Sequence, residues 1–152
     1  MVASALPAYK DVIHVDARTF LESVEKADAI IECKLIEQQQ WGDLALSITA
    51  NMDGVRVSST GSKDKMGSAV SRCVDMEDEI DKAVAKLATV KPSVTAVIEQ
   101  LYSTMEYKVL HMRYIQYKSL QDIEDYFNKS DGWAKVTCKR AINHVQAILN
   151  KR

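Results

Sequence analysis

The stretch MGSAVSRCVDMEDEIDKAVAKLATVKPSVTAVIEQL, residues 66 to 101, decides the fold class. Apolar residues recur in it every seven positions, in two interleaved series. The first series is Met66, Cys73, Ile80, Leu87, Val94 and Leu101, and the second is Ala69, Met76, Ala83, Val90 and Val97. A seven-residue repeat kept over this length is typical of a left-handed coiled coil. It predicts one long helix that packs against a partner helix along an apolar seam.

A second long helix is predicted upstream, with Asp16 as its N-cap. Lys34 and Gln38 interrupt its apolar seam, which has three- and four-residue spacing. The seam residues are Phe20, Val24, Ala27, Ile31, Trp41, Ala45, Ile48 and Met52. The segment DGVRVSSTGS, residues 53 to 62, is short enough for the two helices to fold back on each other. Residues 16 to 101 are therefore predicted to form an antiparallel coiled-coil hairpin, preceded by a flexible arm over residues 1 to 15.

Pro92 lies inside the second helix, where it removes a backbone N–H donor and disfavours helical geometry at Lys91. The seam stays in phase on both sides of it. Two arrangements fit this pattern: a single kinked helix, or a new helix that begins with proline at its first position and stacks on the old one.

The composition agrees with an all-α protein. The chain has 5 Gly and 2 Pro in 152 residues, and 47% of its residues are hydrophobic, enough for a core. The N-terminal segment MVASALPAYKDVIHVD lacks the basic start and apolar run of a signal peptide, and no stretch approaches the ~20 apolar residues that span a bilayer. We expect a cytoplasmic protein without membrane association.

No catalytic, metal or cofactor site is predicted. The segment STGSKDK lacks the glycine spacing of a phosphate-binding loop, and the histidines lie far apart without metal-ligand spacing. Three widely spaced cysteines indicate neither a disulfide framework nor a metal site, so buried free thiols are expected. They are Cys33, Cys73 and Cys138.

Residues 102 to 152 have the pattern of a helix-turn-helix domain. MEYKVLHMRYI is a short amphipathic helix, and SLQDIEDYFN is a second one, with Ser119 as N-cap and Asp122 as its capping-box partner. The segment KSDG supplies a turn, and WAKVTCKRAINHVQAILNKR forms the last helix. Two short helices, a tight turn and a third helix predict this motif.

One face of the last helix is basic and contains no carboxylate from that helix. At 100° per residue, Val136, Lys139, Arg140 and Asn143 lie opposite the apolar stripe, with Trp133 and Lys135 at the flanks. Lys and Arg pair with phosphates or guanine edges, Asn pairs with adenine, and a helix N-terminus accepts a phosphate. The charge balance agrees, since residues 102 to 152 hold 9 Lys and Arg against 5 Asp and Glu. A solvated lysine-rich helix face is the alternative.

Two blocks resemble the RinA/ArpU-like regulators of phages and prophages in Gram-positive bacteria, whose C-terminal part is similar to region four of sigma factors. They are GSKDKMGSAVSRCVDMEDEIDKAV, residues 61 to 84, and VLHMRYIQYKSLQDIEDYFNKS, residues 109 to 130. Arg113-Tyr114 before the turn, then Ser119 and Ile123, are the most specific matches. The resemblance implies an activator of late or packaging genes that binds promoter DNA in the bacterial nucleoid, with host RNA polymerase as a further partner.

The resemblance also implies roles for individual residues. Ser130 opens the recognition helix, and Lys118 and Ser119 lie near the DNA backbone; the readers are Trp133, Lys135, Val136, Lys139 and Arg140. Two positions depart from the family pattern. Glu124 replaces a small alanine at a close helix contact, which implies a wider crossing or a carboxylate in solvent. Asn128 replaces a glycine and tolerates the left-handed conformation of the turn. For Trp133 the alternatives are stacking on a DNA sugar and filling a gap beside Pro92 or the first helix.

Three functions remain open at the level of sequence. The first is a sequence-specific regulator that binds double-stranded promoter DNA as a homodimer, since one short helix-turn-helix reads few base pairs. The second is a small terminase-like DNA-packaging adaptor. The third is a coiled-coil interaction protein that binds no DNA, for which the heptad seam is the motivation.

Overall fold

A computed structural model of the chain describes residues 15–52 and 60–152. Every regular element in this part of the chain is helical, which confirms the all-α class. The helices are α1 (Ala17–Met52), α2 (Thr60–Ile98), α3 (Thr104–Leu110), which continues as one π-helical turn (His111–Ile115), α4 (Leu120–Phe127) and α5 (Trp133–Asn150). Apart from Val15, the predicted N-terminal arm lies outside the described residues, and so do residues 53–59 of the predicted loop.

The chain packs as two compact units, and both long helices contribute to each of them. The hairpin unit contains the described residues 26–52 and 60–89, and the C-terminal unit combines residues 15–25 with residues 90–152. The C-terminal unit therefore takes in more of the chain than the predicted domain of residues 102 to 152.

In the hairpin unit α1 and α2 run antiparallel. Thr49, late in α1, has its Oγ1 3.7 Å from Sδ of Met66, early in α2. Lys34 lies earlier in α1, and its Nζ is 2.7 Å from Oε2 of Glu79, which lies later in α2. All eleven seam positions from Met66 to Leu101 are buried or half-buried. The predicted hairpin of two long helices is present.

Charged residues of α2 form ion pairs with α1 where polar residues interrupt the apolar seam of α1. Lys34 forms its ion pair with Glu79, and Arg72 donates to the other oxygen of Glu79 at 2.8 Å and to Oε1 of Glu37 at 3.2 Å. The Cys73 thiol lies 3.9 Å from the backbone carbonyl of Gln38. The seam is therefore apolar over most of its length and carries one polar cluster, the Lys34–Glu37–Arg72–Glu79 cluster.

Helix α2 continues through Pro92 without interruption. Of the two predicted arrangements, the structure has the single helix. Pro92 and Ala88, whose carbonyl loses its usual helical donor, are both exposed. Water can therefore satisfy that carbonyl, and this lowers the cost of proline at this position.

All five helices contribute to the core of the C-terminal unit. Its buried apolar residues are Ala17, Leu21 and Val24 from α1, Val94, Val97 and Ile98 from α2, Val109 and Leu110 from α3, Ile123 from α4, and Ala134, Cys138, Ala141 and Val145 from α5. Gln146 of α5 also holds the start of α1, because its Oε1 accepts a hydrogen bond from the Ala17 N–H at 2.8 Å. Asp16 caps α1 as predicted, since its Oδ2 accepts from the Thr19 N–H at 3.1 Å.

The three cysteines are free thiols in different environments. Cys138 is buried and Cys73 is half-buried, whereas Cys33 is exposed. Burial raises the pKa of the Cys138 thiol. The prediction of a buried thiol is wrong for Cys33, because its position is turned by about 200° from the seam residue Ile31.

Candidate nucleic-acid interface

Both ends of α4 are fixed by residues of its own sequence. Ser119 Oγ accepts from the Asp122 N–H at 3.0 Å, and Asp122 Oδ2 accepts from the Ser119 N–H at 3.1 Å, so the predicted capping box is confirmed. The hydrogen bonds from Ser119 lower the pKa of Asp122. At the other end, Asn128 adopts the left-handed conformation with φ 52° and ψ 50°, as expected of the residue that replaces glycine here.

Gly132 is the last residue of the turn between α4 and α5. Its φ of 86° is a conformation that glycine adopts without strain. Helix α5 begins at Trp133, whose N–H donates to the carbonyl of Ser130 at 3.2 Å. The helix thus starts later than the opening at Ser130 that the resemblance implies, because Asp131 and Gly132 form a turn first.

Glu124 is buried and caps α5. Only 4% of the residue is exposed, and its Oε1 accepts a hydrogen bond from the backbone N–H of Ala134 at 3.0 Å. Of the two alternatives for Glu124, a carboxylate in solvent is therefore wrong. A negative charge at the N-terminus of a helix is stabilising. Since the Ala134 N–H already has a partner, it is not a free donor for the phosphate expected at this end of α5.

Trp133 is a packing residue. It is half-buried, and its ring centroid lies 5.4 Å from that of Phe127. It packs against a buried cluster that includes Val109 and Ile123, and Lys129 Nζ lies 5.6 Å from the centre of its ring. The ring therefore fills a gap beside Phe127, and its stacking on a DNA sugar stays a prediction.

The remaining candidate residues of α5 form one exposed stripe, called here the α5 stripe: Lys135, Val136, Lys139 and Asn143. Val136, at its centre, is 65% exposed. Spacings of three and four residues place these side chains on one side of the helix. The opposite side is buried, so the orientation of the helix is set by its core. Lys118 and Ser119, at the start of α4, are exposed as well.

Arg140 borders the α5 stripe and is held by a carboxylate from α3. Its Nε donates to Oε1 of Glu106 at 3.0 Å, and Nδ1 of His144 lies 2.7 Å from the other oxygen of Glu106. The Glu106 side chain is 5% exposed, whereas that of Arg140 is 58% exposed. The face of α5 has no carboxylate of its own, as predicted, but the buried Glu106 of α3 pairs with Arg140 beside it. Glu106 lies 34 residues before Arg140, and no local pattern indicates the contact.

The chain matches no family model, no curated protein and no solved structure. Its function is therefore inferred from the side chains that the C-terminal unit exposes.

In residues 15–52 and 60–152 no group of His, Cys, Asp and Glu side chains is placed to hold a metal ion. None of the helices described above combines the length and the apolar character needed to cross a membrane.

Proposed function

We propose that the protein is a sequence-specific transcriptional regulator that binds double-stranded promoter DNA through α5. The α5 stripe carries the proposal, because it exposes two lysines, an asparagine and an apolar side chain on a helix whose other side is buried. Lysine binds phosphates or guanine, asparagine pairs with adenine, and an apolar group contacts the thymine methyl. This combination suits the major groove.

The surroundings of the stripe support a helix-turn-helix made of α3, α4 and α5. The capping box fixes the start of α4, and Glu124 ties α4 to α5. In such motifs the second helix of the pair enters the major groove, and the first contacts the DNA backbone. Lys118 and Ser119 at the start of α4 are the proposed backbone contacts, and Arg140 is a phosphate contact whose position Glu106 fixes.

The resemblance to the RinA/ArpU-like regulators narrows this proposal. It supports an activator of late or packaging genes of a phage or prophage, with host RNA polymerase as a second partner. A homodimer completes the proposal, because two motifs related by a twofold axis double the number of base contacts.

The first experiment recovers the binding site. Purified protein is mixed with sheared DNA of its source genome at ~150 mM salt, and the bound DNA is sequenced. Enrichment of one discrete intergenic site is the expected result, because specific binding survives salt that weakens non-specific phosphate contacts. Diffuse enrichment or none contradicts the proposal.

The second experiment tests the stripe itself. Lys135→Ala with Lys139→Ala should weaken binding and lower the slope of log K against log salt by about 0.9 for each lost phosphate contact. The matched control is Lys82→Ala with Lys86→Ala, two exposed lysines of α2. Both double variants lose the same charge, so equal effects would show that only net charge matters.

A second candidate function rests on the hairpin unit. Large apolar side chains of α1 and α2 are exposed there: Leu35, Ile36, Leu46, Val70, Val74 and Val84. Exposed large apolar side chains on both helices favour a binding role for the hairpin, as in a coiled-coil interaction protein. Absence of DNA binding at ~50 mM salt, where electrostatic contacts are strongest, would favour this function. A ring-sized mass in solution with DNA binding would favour the packaging adaptor.

A further inference from the structure

A groove in the C-terminal unit lies between α3 with its π-helical turn and α4. Its cavity volume is about 510 Å³, a size typical of small-molecule sites. The described residues that line it belong to α3, the π-helical turn, the loop that follows and α4. They include Lys118 but no residue of the α5 stripe. The groove therefore offers a surface distinct from the proposed reading helix.

The groove is cationic. Lys108 and Lys118 line it, and both are exposed; among its described lining residues there is no carboxylate. His111 adds a further donor. Its Nδ1 lies 2.9 Å from Nε2 of Gln116, a contact that holds the imidazole ring at the edge of the groove. Ammonium groups and an imidazole N–H are ligands for an anion, above all a phosphate.

Two tyrosine rings line the same groove, and neighbouring rings hold both of them. Tyr126 is 62% exposed, yet its ring packs edge-on against Phe127 with centroids 4.8 Å apart. The ring of Tyr107 lies 5.7 Å from that of His111. Removing an exposed aromatic ring from water is favourable in free energy. A flat aromatic ligand covers such a ring most completely, because it can stack on it.

The wall that carries Lys118 is fixed before any ligand arrives. The Lys118 N–H donates to the carbonyl of Met112 at 2.9 Å, and the Gln116 N–H donates to the carbonyl of His111 at 3.0 Å. Arg113 Nη1 donates to the carbonyl of Lys118 at 3.0 Å. A site ordered in advance loses less conformational entropy when it binds.

We infer that this groove binds a nucleoside phosphate, with the base stacked on Tyr126 and the phosphate between Lys108 and Lys118. Aromatic rings next to cationic side chains are the usual means of holding a nucleotide without reading its sequence. An acidic peptide would use the lysines but leave the exposed Tyr126 ring without a partner. The nucleoside phosphate is either a free nucleotide or one unit of a single strand, since both present a base and a phosphate.

The test measures binding to the full-length protein by calorimetry and by amide chemical shifts. The probes are adenosine 5′-monophosphate, adenosine, inorganic phosphate and an adenine tetranucleotide. We expect the monophosphate to bind at least tenfold more tightly than adenosine or phosphate, with shifts over residues 107–118 and at Tyr126. Much tighter binding of the tetranucleotide identifies a single strand as the ligand, and similar affinities identify a free nucleotide.

Substitutions distinguish the contribution of the Tyr126 ring to binding from that of the lysine charges. Tyr126→Ala should weaken the binding of the monophosphate about tenfold. Tyr126→Phe should preserve binding, because stacking needs only the aromatic ring. The double variant Lys108→Gln with Lys118→Gln should weaken the binding of the monophosphate and remove most of the salt dependence of that binding. Each variant must have the same circular dichroism spectrum as the wild-type protein, which shows that it is folded.

The inference is overturned by any of three results: no binding up to about 10 mM, equal binding of phosphate or of a short oligoglutamate peptide, or a Tyr126→Ala variant that binds as wild type. Lys135→Gln with Lys139→Gln should reduce duplex DNA binding and leave nucleotide binding unchanged. Lys118 belongs to both proposals, but Lys135 and Lys139 do not line the groove and Tyr126 is not part of the α5 stripe, so these variants distinguish failure of one proposal from failure of the other.

Discussion

The carboxylate of Glu124 in α4 accepts a hydrogen bond from the backbone N–H of Ala134 in α5, at 3.0 Å. The bond joins the two helices on either side of the turn, and it places a negative charge at the positive end of α5. The resemblance leads one to expect a small alanine where Glu124 stands. In this chain the orientation of the proposed reading helix therefore depends on a buried, charged side chain.

Removal of this cap should destabilise the C-terminal unit. Glu124→Ala leaves a buried N–H without a partner, and we expect a loss of about 1–3 kcal/mol in the free energy of unfolding. Glu124→Gln keeps a carbonyl acceptor and should lose about 1 kcal/mol less, measured by urea unfolding. Asp125→Ala is the control, because Asp125 is an exposed carboxylate of the same helix that accepts from Gln121 at 3.0 Å. A loss as large in this control would contradict a capping role for Glu124.

The pairing of Glu106 with Arg140 predicts a change in DNA binding. Glu106→Gln removes the charge that offsets Arg140, so we expect tighter binding of all duplexes and a steeper salt dependence. Discrimination between the specific site and a scrambled duplex should fall, because the guanidinium is less firmly held. Fluorescence anisotropy with both duplexes measures the two effects. Asp125→Asn removes an exposed carboxylate and is the control for net charge; an identical response would mean that Glu106 has no positioning role.

Local patterns account for most of what the sequence predicts correctly. The seven-residue repeat from Met66 to Leu101 predicts α2 and its buried seam, and the spacing of Ser119 and Asp122 predicts the capping box. A helix turns 100° per residue, so the exposure of Lys135, Lys139 and Asn143 also follows from the sequence. Each of these features depends on residues within one element.

The features that the sequence does not predict join residues that are distant along the chain. Gln146 binds Ala17 across 129 positions, and Glu106 reaches Arg140 across 34. Trp133 and Glu124 lie on either side of the turn between α4 and α5 and make contacts across it, Trp133 with Phe127 and Glu124 with Ala134. The sequence left two alternatives open for each of them, because the residue that each one contacts belongs to the neighbouring helix. The π-helical turn after α3 has no recognised sequence signal either.

Two glycines should respond in opposite directions to the same substitution. Gly132 has φ 86°, so Gly132→Ala should cost about 1–2 kcal/mol although no atom lies within 4 Å of the added Cβ. Gly132→Asn should cost less, because Asn tolerates this conformation. Gly67 lies inside α2 with equally open space, so Gly67→Ala should stabilise by about 0.5–1 kcal/mol. Urea unfolding measures all three variants, and a gain in stability for Gly132→Ala would contradict the left-handed turn.

The Lys34–Glu37–Arg72–Glu79 cluster predicts how the hairpin responds to acid. Hydrogen bonds from Lys34 and then Arg72 lower the pKa of Glu79 below 4.5, and the hydrogen bond from Arg72 lowers that of Glu37 in the same way. A carboxyl whose pKa is lowered on folding stabilises the protein above its unfolded pKa, and this contribution is lost as the pH falls through the folded value. The stabilisation is therefore complete at pH 7 and disappears at a pH below about 4.5.

Arg72→Gln tests this directly. The variant should have a lower melting temperature than wild type at pH 7, and the difference should shrink as the pH falls to about 3, because the glutamates are then neutral in both proteins. Asp122 also has a lowered pKa, but it is present in both and cancels in the comparison. Lys82→Gln, which removes an exposed lysine of α2, is the control for net charge. A difference between Arg72→Gln and wild type that is the same at both pH values would mean that the ion pairs of Arg72 contribute nothing to the stability of the hairpin.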